Sequence, residues 1–567
     1  TMPRHLLAAI LFCAIAVLGA CRSTTPDRPP GRAGAAPPPA PPPAAGIDAT
    51  ARRLRAEAMR MAEARVPAAP ALYAPAVRPW SQVPPADTGR YARPDDNPVV
   101  RAGEQPVSTF SVDVDTGSYS NVRRMIRHGI RPPADAVRAE EFINYFDYGH
   151  PAPDSPDVPF RVTTEIAPAP WNPKRLLLMV GIRGYDVPKA ELPPANLVFL
   201  VDTSGSMYSA DKLPLLKQAF AELVHQLRAR DRVSIVAYAG SAGLVLPPTP
   251  GDRQGEILAA LERLQAGGST NGGEGIRLAY AMARQAYVEG GVNRVILATD
   301  GDFNVGITGL DALETLVADQ RKAGIALTTL GFGAGNYNDH LAERLADAGD
   351  GNHAYIDTLQ EARKVLVEEM SATLLTIARD VKVQIEFNPA LVAEYRLVGY
   401  ENRMLREEDF ANDRVDAGDI GAGHEVTALY EIALAGSGGE RLPPLRYGGR
   451  PAPGGTHADE LAHLRLRYKR PGEEDSRLIE TPVRRDAIRA QAGPALRFAA
   501  AVAAWADALR GGRHIDGWDM GDIAASARAS AGGDRWGLRR EFIELVEVSR
   551  VLAGGAGAPP AVSGGGG

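Results

Sequence analysis

Three oxygen-bearing side chains stand at alternate positions in one short stretch: Asp202, Ser204 and Ser206. A carboxylate and two hydroxyls are hard ligands, which suit Mg²⁺, Ca²⁺ or Mn²⁺ rather than the soft-ligand metals. Directly upstream, residues 197–201 form an unbroken apolar run rich in β-branched and aromatic side chains. That is the pattern of a strand buried on both faces. The three side chains therefore stand just past a central strand, where open α/β sheets bind their ligands. Two other stretches could complete a metal shell. Gly267-Gly268-Ser269-Thr270-Asn271-Gly272 precedes a helical pattern and offers the Thr270 hydroxyl, with glycines that allow close backbone approach. Thr299-Asp300-Gly301-Asp302 follows the apolar run 294–298, so Asp300 is the counterpart of Asp202 on another strand end.

The elements that must position these residues alternate strictly. Strands are expected at 197–201, 232–237, 243–246, 294–298, 326–332 and 353–356, and helices at 212–228, 252–264, 273–287, 310–322, 339–348 and 359–377. Repeated βα units imply an α/β domain with a doubly wound, mostly parallel sheet, helices covering both faces. Before it, 108–115 suits a half-buried strand, 118–129 and 135–146 suit helices, and 160–167 and 175–183 suit strands. After it, 380–387, 391–398, 425–434 and 461–469 are strand-like with no helix between them, a β-sandwich-like module. The strands at 160–183 could join that module and make the α/β domain an insertion. C-terminal helices are expected at 484–509 and 534–552, with a loop around Gly517 and Trp518 between them.

Together, Asp202-x-Ser204-x-Ser206, Thr270 and Asp300 resemble the metal-ion-dependent adhesion site of von Willebrand factor type A (VWA) domains, with all five positions in family order. The resemblance implies that Ser204 and Ser206 coordinate the ion directly and Thr270 does so in at least one state. Asp202 and Asp300 act directly or through water. It also implies an open coordination position for a partner's Asp or Glu, so that the ion bridges two proteins. Mg²⁺ is the expected ion, with Ca²⁺ or Mn²⁺ as alternatives. The segments 109–119 and 138–146, and Trp518-Asp519-Met520, resemble a family of bacterial A-domain lipoproteins, a likeness that spans roughly 105–552.

Composition sets the frame. A chain of 567 residues is too long for one core, while 45% apolar and 23% charged residues are ordinary globular values. A net charge of −6 over that length gives no nucleic-acid role. No phosphate-binding Gly-x-x-x-x-Gly-Lys loop exists, so no nucleotide is expected, and no His-Glu-x-x-His pair supports zinc hydrolysis. Near the start, with Met2 the apparent first residue, Arg4 and His5 precede an apolar run at 6–18 that is too short to span a bilayer comfortably. It ends in Leu18-Gly19-Ala20-Cys21, which resembles the lipobox of bacterial lipoproteins and implies a lipid-modified Cys21 that tethers the chain to a membrane. Arg22 in place of Asp favours the outer over the inner membrane. Cys13 and Cys21 are the only cysteines, so the mature chain has no disulfide.

The expected organisation is a signal peptide (1–21), a Pro/Ala-rich tether (22–100), an N-terminal α+β region (101–193), the A domain (194–377), a β-rich module (378–475), a helical region (476–553) and a disordered tail (554–567). The expected function is that of a lipid-anchored, cation-dependent protein-binding adhesion or scaffold protein of the bacterial envelope, not an enzyme. A metal-dependent hydrolase or phosphotransferase is one alternative, though no general base with a His or Lys partner is evident in the sequence. A structural envelope protein stabilised by the ion is another. Among lesser candidates, Asp113 and Asp115 form either a second cation site or a solvated face. Glu274 suits a helix start. Asp302 is turn chemistry or an outer partner of the ion, and Tyr145, Phe146 and Tyr148 are core or a binding patch.

Overall fold

The apolar run before Asp202 becomes strand Ala195–Asp202 (β1), buried at every residue. The computed structural model describes residues 96–112, 114–269, 272–301, 310–333, 339–369, 372, 374–446 and 457–554. The signal segment with Cys21, the tether through 95, the tail beyond 554, Asp113, Thr270 and Asp302 lie outside them. Five strands follow β1 in its sheet: Arg232–Tyr238 (β2), Ala242–Pro250 (β3), Val292–Thr299 (β4), Ala326–Phe332 (β5) and His353–Ile356 (β6). Their order is β6-β5-β4-β1-β2-β3, parallel throughout except for the antiparallel edge strand β3. Pro247, Pro248 and Pro250 on β3 remove ladder donors and blunt that edge.

Alternate residues of β1 feed two separate cores, which is why the run has no polar interruption. Leu197, Phe199 and Val201 pack with Leu213–Val224 (α1) and Gln254–Glu262 (α2). Val198 and Leu200 pack with Gly272–Gln285 (α3), Leu310–Lys322 (α4) and Leu345 of Asp339–Ala348 (α5). A last helix, Leu359–Arg363 (α6), joins the first core through Ala362. The sheet is thus doubly wound.

The longer described strands outside this domain form a sandwich of two antiparallel sheets. One runs Val100–Arg101, Val392–Val398, Glu425–Leu434, Asn172–Gly184, Phe160–Ala169; the other runs Met404–Leu405, Val107–Ser111, Thr376–Phe387, Glu460–Lys469, Arg477–Arg484. Each mixes strands from before and after the α/β domain, as in the pairing of Leu178 with Tyr430. The α/β domain is therefore inserted into the sandwich, and the sheets cut across the division between 101–193 and 378–475. Phe110, Val180, Val383, Ile385, Tyr430 and Leu464 fill the space between the sheets.

Helices from both ends of the chain share a third core. Gly117–Arg127 and Ala139–Asn144 pack with Pro494–Arg510, Met520–Ser530 and Leu538–Gly554 around Tyr119, Phe142, Phe498, Trp505 and Phe542. Tyr145, Phe146 and Tyr148 are buried in it, so they are core rather than a surface patch. Among the described residues no helix is long and apolar enough to cross a membrane.

Four expectations change, one being that the helix expected at 484–509 starts only at Pro494, after a strand that ends at Arg484. The helix expected at 359–377 is interrupted: α6 passes into a π turn over Lys364–Glu368, Ala372 and Leu374 are helical again, and Thr376 begins a sandwich strand. Its apolar residues serve two different cores, which a single period cannot express. The helix at 135–146 breaks at Val137, whose φ of −104° and ψ of 106° are extended. The Trp518 loop leads into a helix capped by Asp519, whose side chain accepts from Gly521 N and Asp522 N.

Candidate functional site

The strand order reverses at the β1–β4 pair, because the connections from these two strands lead to opposite halves of the sheet. Chains leaving such strands diverge and open a crevice at their carboxyl ends. Val201 pairs with Ala298 and Asp202 with Tyr238, so Asp202, Tyr238 and Thr299-Asp300 meet at that crevice.

Asp202 is fully buried. Its Oδ1 accepts from Ser204 N at 2.8 Å, and its Oδ2 accepts from Tyr238 OH and Thr299 Oγ1, each at 3.2 Å. Burial pushes the carboxyl above its ordinary range, the hydrogen bonds to Ser204 pull it back, and the nearby Asp300 charge adds to the rise. A divalent ion would relieve that penalty. Gly275 lets the start of α3 close on this corner: a Cβ there would stand 2.8 Å from Tyr238 Cβ.

Ser204 is buried and Ser206 exposed, and their Oγ atoms are hydrogen-bonded to each other at 3.0 Å, a separation that a shared ion would also impose. Two oxygens held about 2.1 Å from one Mg²⁺ at adjacent octahedral positions are about 3.0 Å from each other. The hydroxyl pair thus fits one ion, with Ser206 on the solvent side. Gly205 N donates to Gly268 O at 3.0 Å and Gly267 N to Thr203 O at 2.8 Å, stitching the glycine loop to this turn. Thr270, the expected ligand from that loop, is not among the described residues.

Asp300 is buried, and its Oδ2 accepts from Lys212 Nζ at 2.8 Å. Lys212 immediately precedes α1. Its stem lies on Gly333, where a Cβ would come 2.3 Å from Lys212 Cγ; the φ of +78° there also favours glycine. Tyr208, two residues beyond Ser206, is 83% exposed.

Asp202, Ser204, Ser206 and Asp300 are therefore brought to one sheet end. Lys212, Tyr238 and Thr299 join them; Thr299 belongs to a stretch named in the sequence, whereas Lys212 and Tyr238 were not singled out there. Tyr238 directly follows an expected strand and Lys212 opens an expected helix, but neither carries a local signal that it faces a carboxylate. The lesser candidates do other work. Asp115 accepts from His353 N at 2.8 Å and faces Arg403 at 3.7 Å, so it ties the N-terminal segment to β6. Glu274 is exposed in the first turn of α3. Among the described residues no group of three or more His, Cys, Asp or Glu could hold a metal. The candidate shell draws instead on hydroxyls beside two carboxylates.

Three family models match the chain: von Willebrand factor type A domain over residues 197–302, von Willebrand factor over 85–179, and the C-terminal region of the uncharacterized protein YfbK over 372–552. The chain is 48% identical over 473 residues to protein YfbK of Escherichia coli, covering 82% of this chain and 81% of that protein. It is 27% identical over 325 residues to protein sll0103 of Synechocystis, covering 56% of this chain and 71% of that protein. Among solved structures, a von Willebrand factor type A protein from Catenulispora acidiphila is 17% identical, covers 70% of this chain and 91% of its own, and superposes with a TM-score of 0.37.

Proposed function

The chain belongs to the family of Escherichia coli YfbK, proteins built around a von Willebrand factor type A domain, and we propose that it is a non-enzymatic scaffold that grips a partner protein's carboxylate through a divalent cation. The observation that carries the reading is the 3.0 Å separation of the Ser204 and Ser206 hydroxyls beside two buried carboxylates at the switch point of the sheet. Ser204, Ser206 and Thr270 would hold the ion, with Asp202 and Asp300 supplying charge. Mg²⁺ suits this all-oxygen set, with Ca²⁺ or Mn²⁺ as alternatives. The bound ion would supply a Lewis-acidic position for an Asp or Glu oxygen of the partner.

Each side chain has a task in that scheme. Asp202, which already accepts three protein hydrogen bonds, holds the Ser204 turn and lends negative charge to the cavity. Ser206 faces solvent, where a partner can approach, and exposed Tyr208 offers an aromatic contact beside it. The described part of the site pairs no nucleophile with a base: Lys212 is held in an ion pair with Asp300. That supports binding over turnover.

By the lipobox-like segment before Cys21, the protein is lipid-anchored and extracytoplasmic in the bacterial envelope, the outer membrane being favoured by Arg22. The test is affinity capture from native envelope extract with Mg²⁺ and with EDTA, using the wild type and Asp202→Ala. Capture that depends on Mg²⁺ and is lost in the variant is expected. Equal capture in all arms overturns the reading.

A further inference from the structure

We infer that Lys212 is a built-in counter-cation that weakens ion binding and makes the loaded site demand an anionic partner; the inference rests on the divalent-cation reading above. Among the described residues, Asp202, Asp300 and Lys212 are charged side chains that interact here. Two carboxylates and a divalent ion alone sum to zero and leave no charge for a partner to satisfy. With the ammonium included, the ion-loaded site carries a net charge of about +1, which one incoming carboxylate neutralises.

The geometry keeps that ammonium in place. Lys212 Nζ lies 2.8 Å from Asp300 Oδ2, and the two side chains are 12% and 3% exposed. The stem runs over Gly333, the one kind of residue that leaves room for it. Tyr355 OH donates to Gly333 O, which anchors that glycine to β6. The lysine is thus clamped along its length rather than free to swing into solvent. A buried ion pair is screened by salt far less than one at the surface.

Two consequences follow for the ion. One oxygen of Asp300 is held by Lys212, so an ion would share this carboxylate with the ammonium. The ion and the ammonium also repel each other across one carboxylate. At the effective dielectric of a protein, that repulsion is worth about a tenfold step in affinity or more. Lys212 therefore raises the ion's dissociation constant in the absence of partner, and partner carboxylate restores the balance. It is a positioning and specificity residue, acting on the ion through Asp300.

The test is calorimetric titration with Mg²⁺ alone on the full chain, for the wild type, Lys212→Met and Lys212→Arg, with melting of each protein in EDTA. Methionine keeps the stem on Gly333 and removes the charge. Lys212→Met is expected to bind Mg²⁺ about tenfold tighter or more, yet to melt lower than wild type in EDTA, because Asp300 has lost its counter-charge. Lys212→Arg is expected to stay near wild type in both. Unchanged or weaker Mg²⁺ binding by a folded Lys212→Met overturns the inference and leaves the cation reading standing. A wild type that binds neither Mg²⁺ nor Mn²⁺ overturns both. Should Lys212→Met not fold, Lys212→Gln serves the same comparison.

Discussion

Arg123, in the helix before the α/β domain, donates to Glu361 Oε2 at 2.7 Å and to Asp357 Oδ2 at 2.8 Å, both in the last segment of that domain. Tyr145 OH accepts from the same guanidinium and donates to Glu361, each at 2.6 Å, and Glu541 of the C-terminal helix lies 3.4 Å away. One buried cation therefore joins the inserted domain to segments on either side of it. The neighbouring contacts are of the same kind: Arg138 faces Glu343, and Arg403 faces Asp347.

Removing Arg123 would leave Glu361 buried without its ion-pair partner, with the charge of Lys364 nearby. Arg123→Ala is expected to lower stability by about 3–5 kcal/mol, the usual cost of breaking a buried pair from one side. Urea unfolding measures the loss. Limited proteolysis is expected to cut faster near the π turn at Lys364–Glu368, where α6 gives way to the sandwich. A variant with wild-type stability and protection would show that the cluster does not hold the domain.

Metal should stabilise the folded chain by mass action. At a hundredfold excess over Kd, Mg²⁺ is expected to add about 2.7 kcal/mol, seen as a higher melting temperature than in EDTA. The Ser204→Ala, Ser206→Ala double variant is expected to melt at the same temperature with and without Mg²⁺.

Tyr238 touches no ion in this scheme, yet it orients Asp202 through the 3.2 Å hydrogen bond from its hydroxyl. Tyr238→Phe is expected to weaken Mg²⁺ binding by about 10–100-fold, as loss of an outer hydrogen bond to a metal site generally does. Calorimetric titration checks this, and an unchanged Kd would mean that Thr299 suffices to hold Asp202.

Glu425 should give the stability curve a slope near neutrality. Burial lifts its carboxyl from 4.5 to about 7, with Asp147 adding to the rise, while the hydrogen bond from Tyr148 N and the charge of Arg183 oppose it. The folded state then holds this proton more tightly than the unfolded chain does. Between about pH 4.5 and about pH 7 the folded form binds more protons, so this group's contribution to stability falls as pH rises. Urea midpoints at about pH 5 and about pH 8 are expected to differ less in Glu425→Gln than in the wild type. An identical difference in the two proteins would contradict the assignment.

Local pattern made the inserted domain legible because βα alternation is written in short windows. The run 197–201 needs apolar residues on both faces, and its period shows that directly. The same holds for Asp202, Ser204 and Ser206, which are neighbours in the chain and remain neighbours in space. Strand Arg477–Arg484 was not legible: it is an edge strand, mostly exposed, with no apolar alternation to reveal it. The other long strands of the sandwich were legible one by one, but their pairing was not, since Glu425–Leu434 meets Asn172–Gly184 only after the chain has built a whole domain between them.

By itself, then, the sequence determined the doubly wound class of the A domain, the strand ends that carry Asp202 and Asp300, and the hydroxyl spacing around Ser204 and Ser206. These depend on periodicity and turn chemistry over a few residues. The tertiary structure alone decided that Lys212 stands on Asp300 across 88 positions, that Tyr238 and Thr299 hold Asp202 from two neighbouring strands, and that the domain is an insertion pinned by Arg123. Those contacts arise from sheet order and packing, and nothing in the local chemistry of a lysine, a tyrosine or an arginine names a partner so far along the chain.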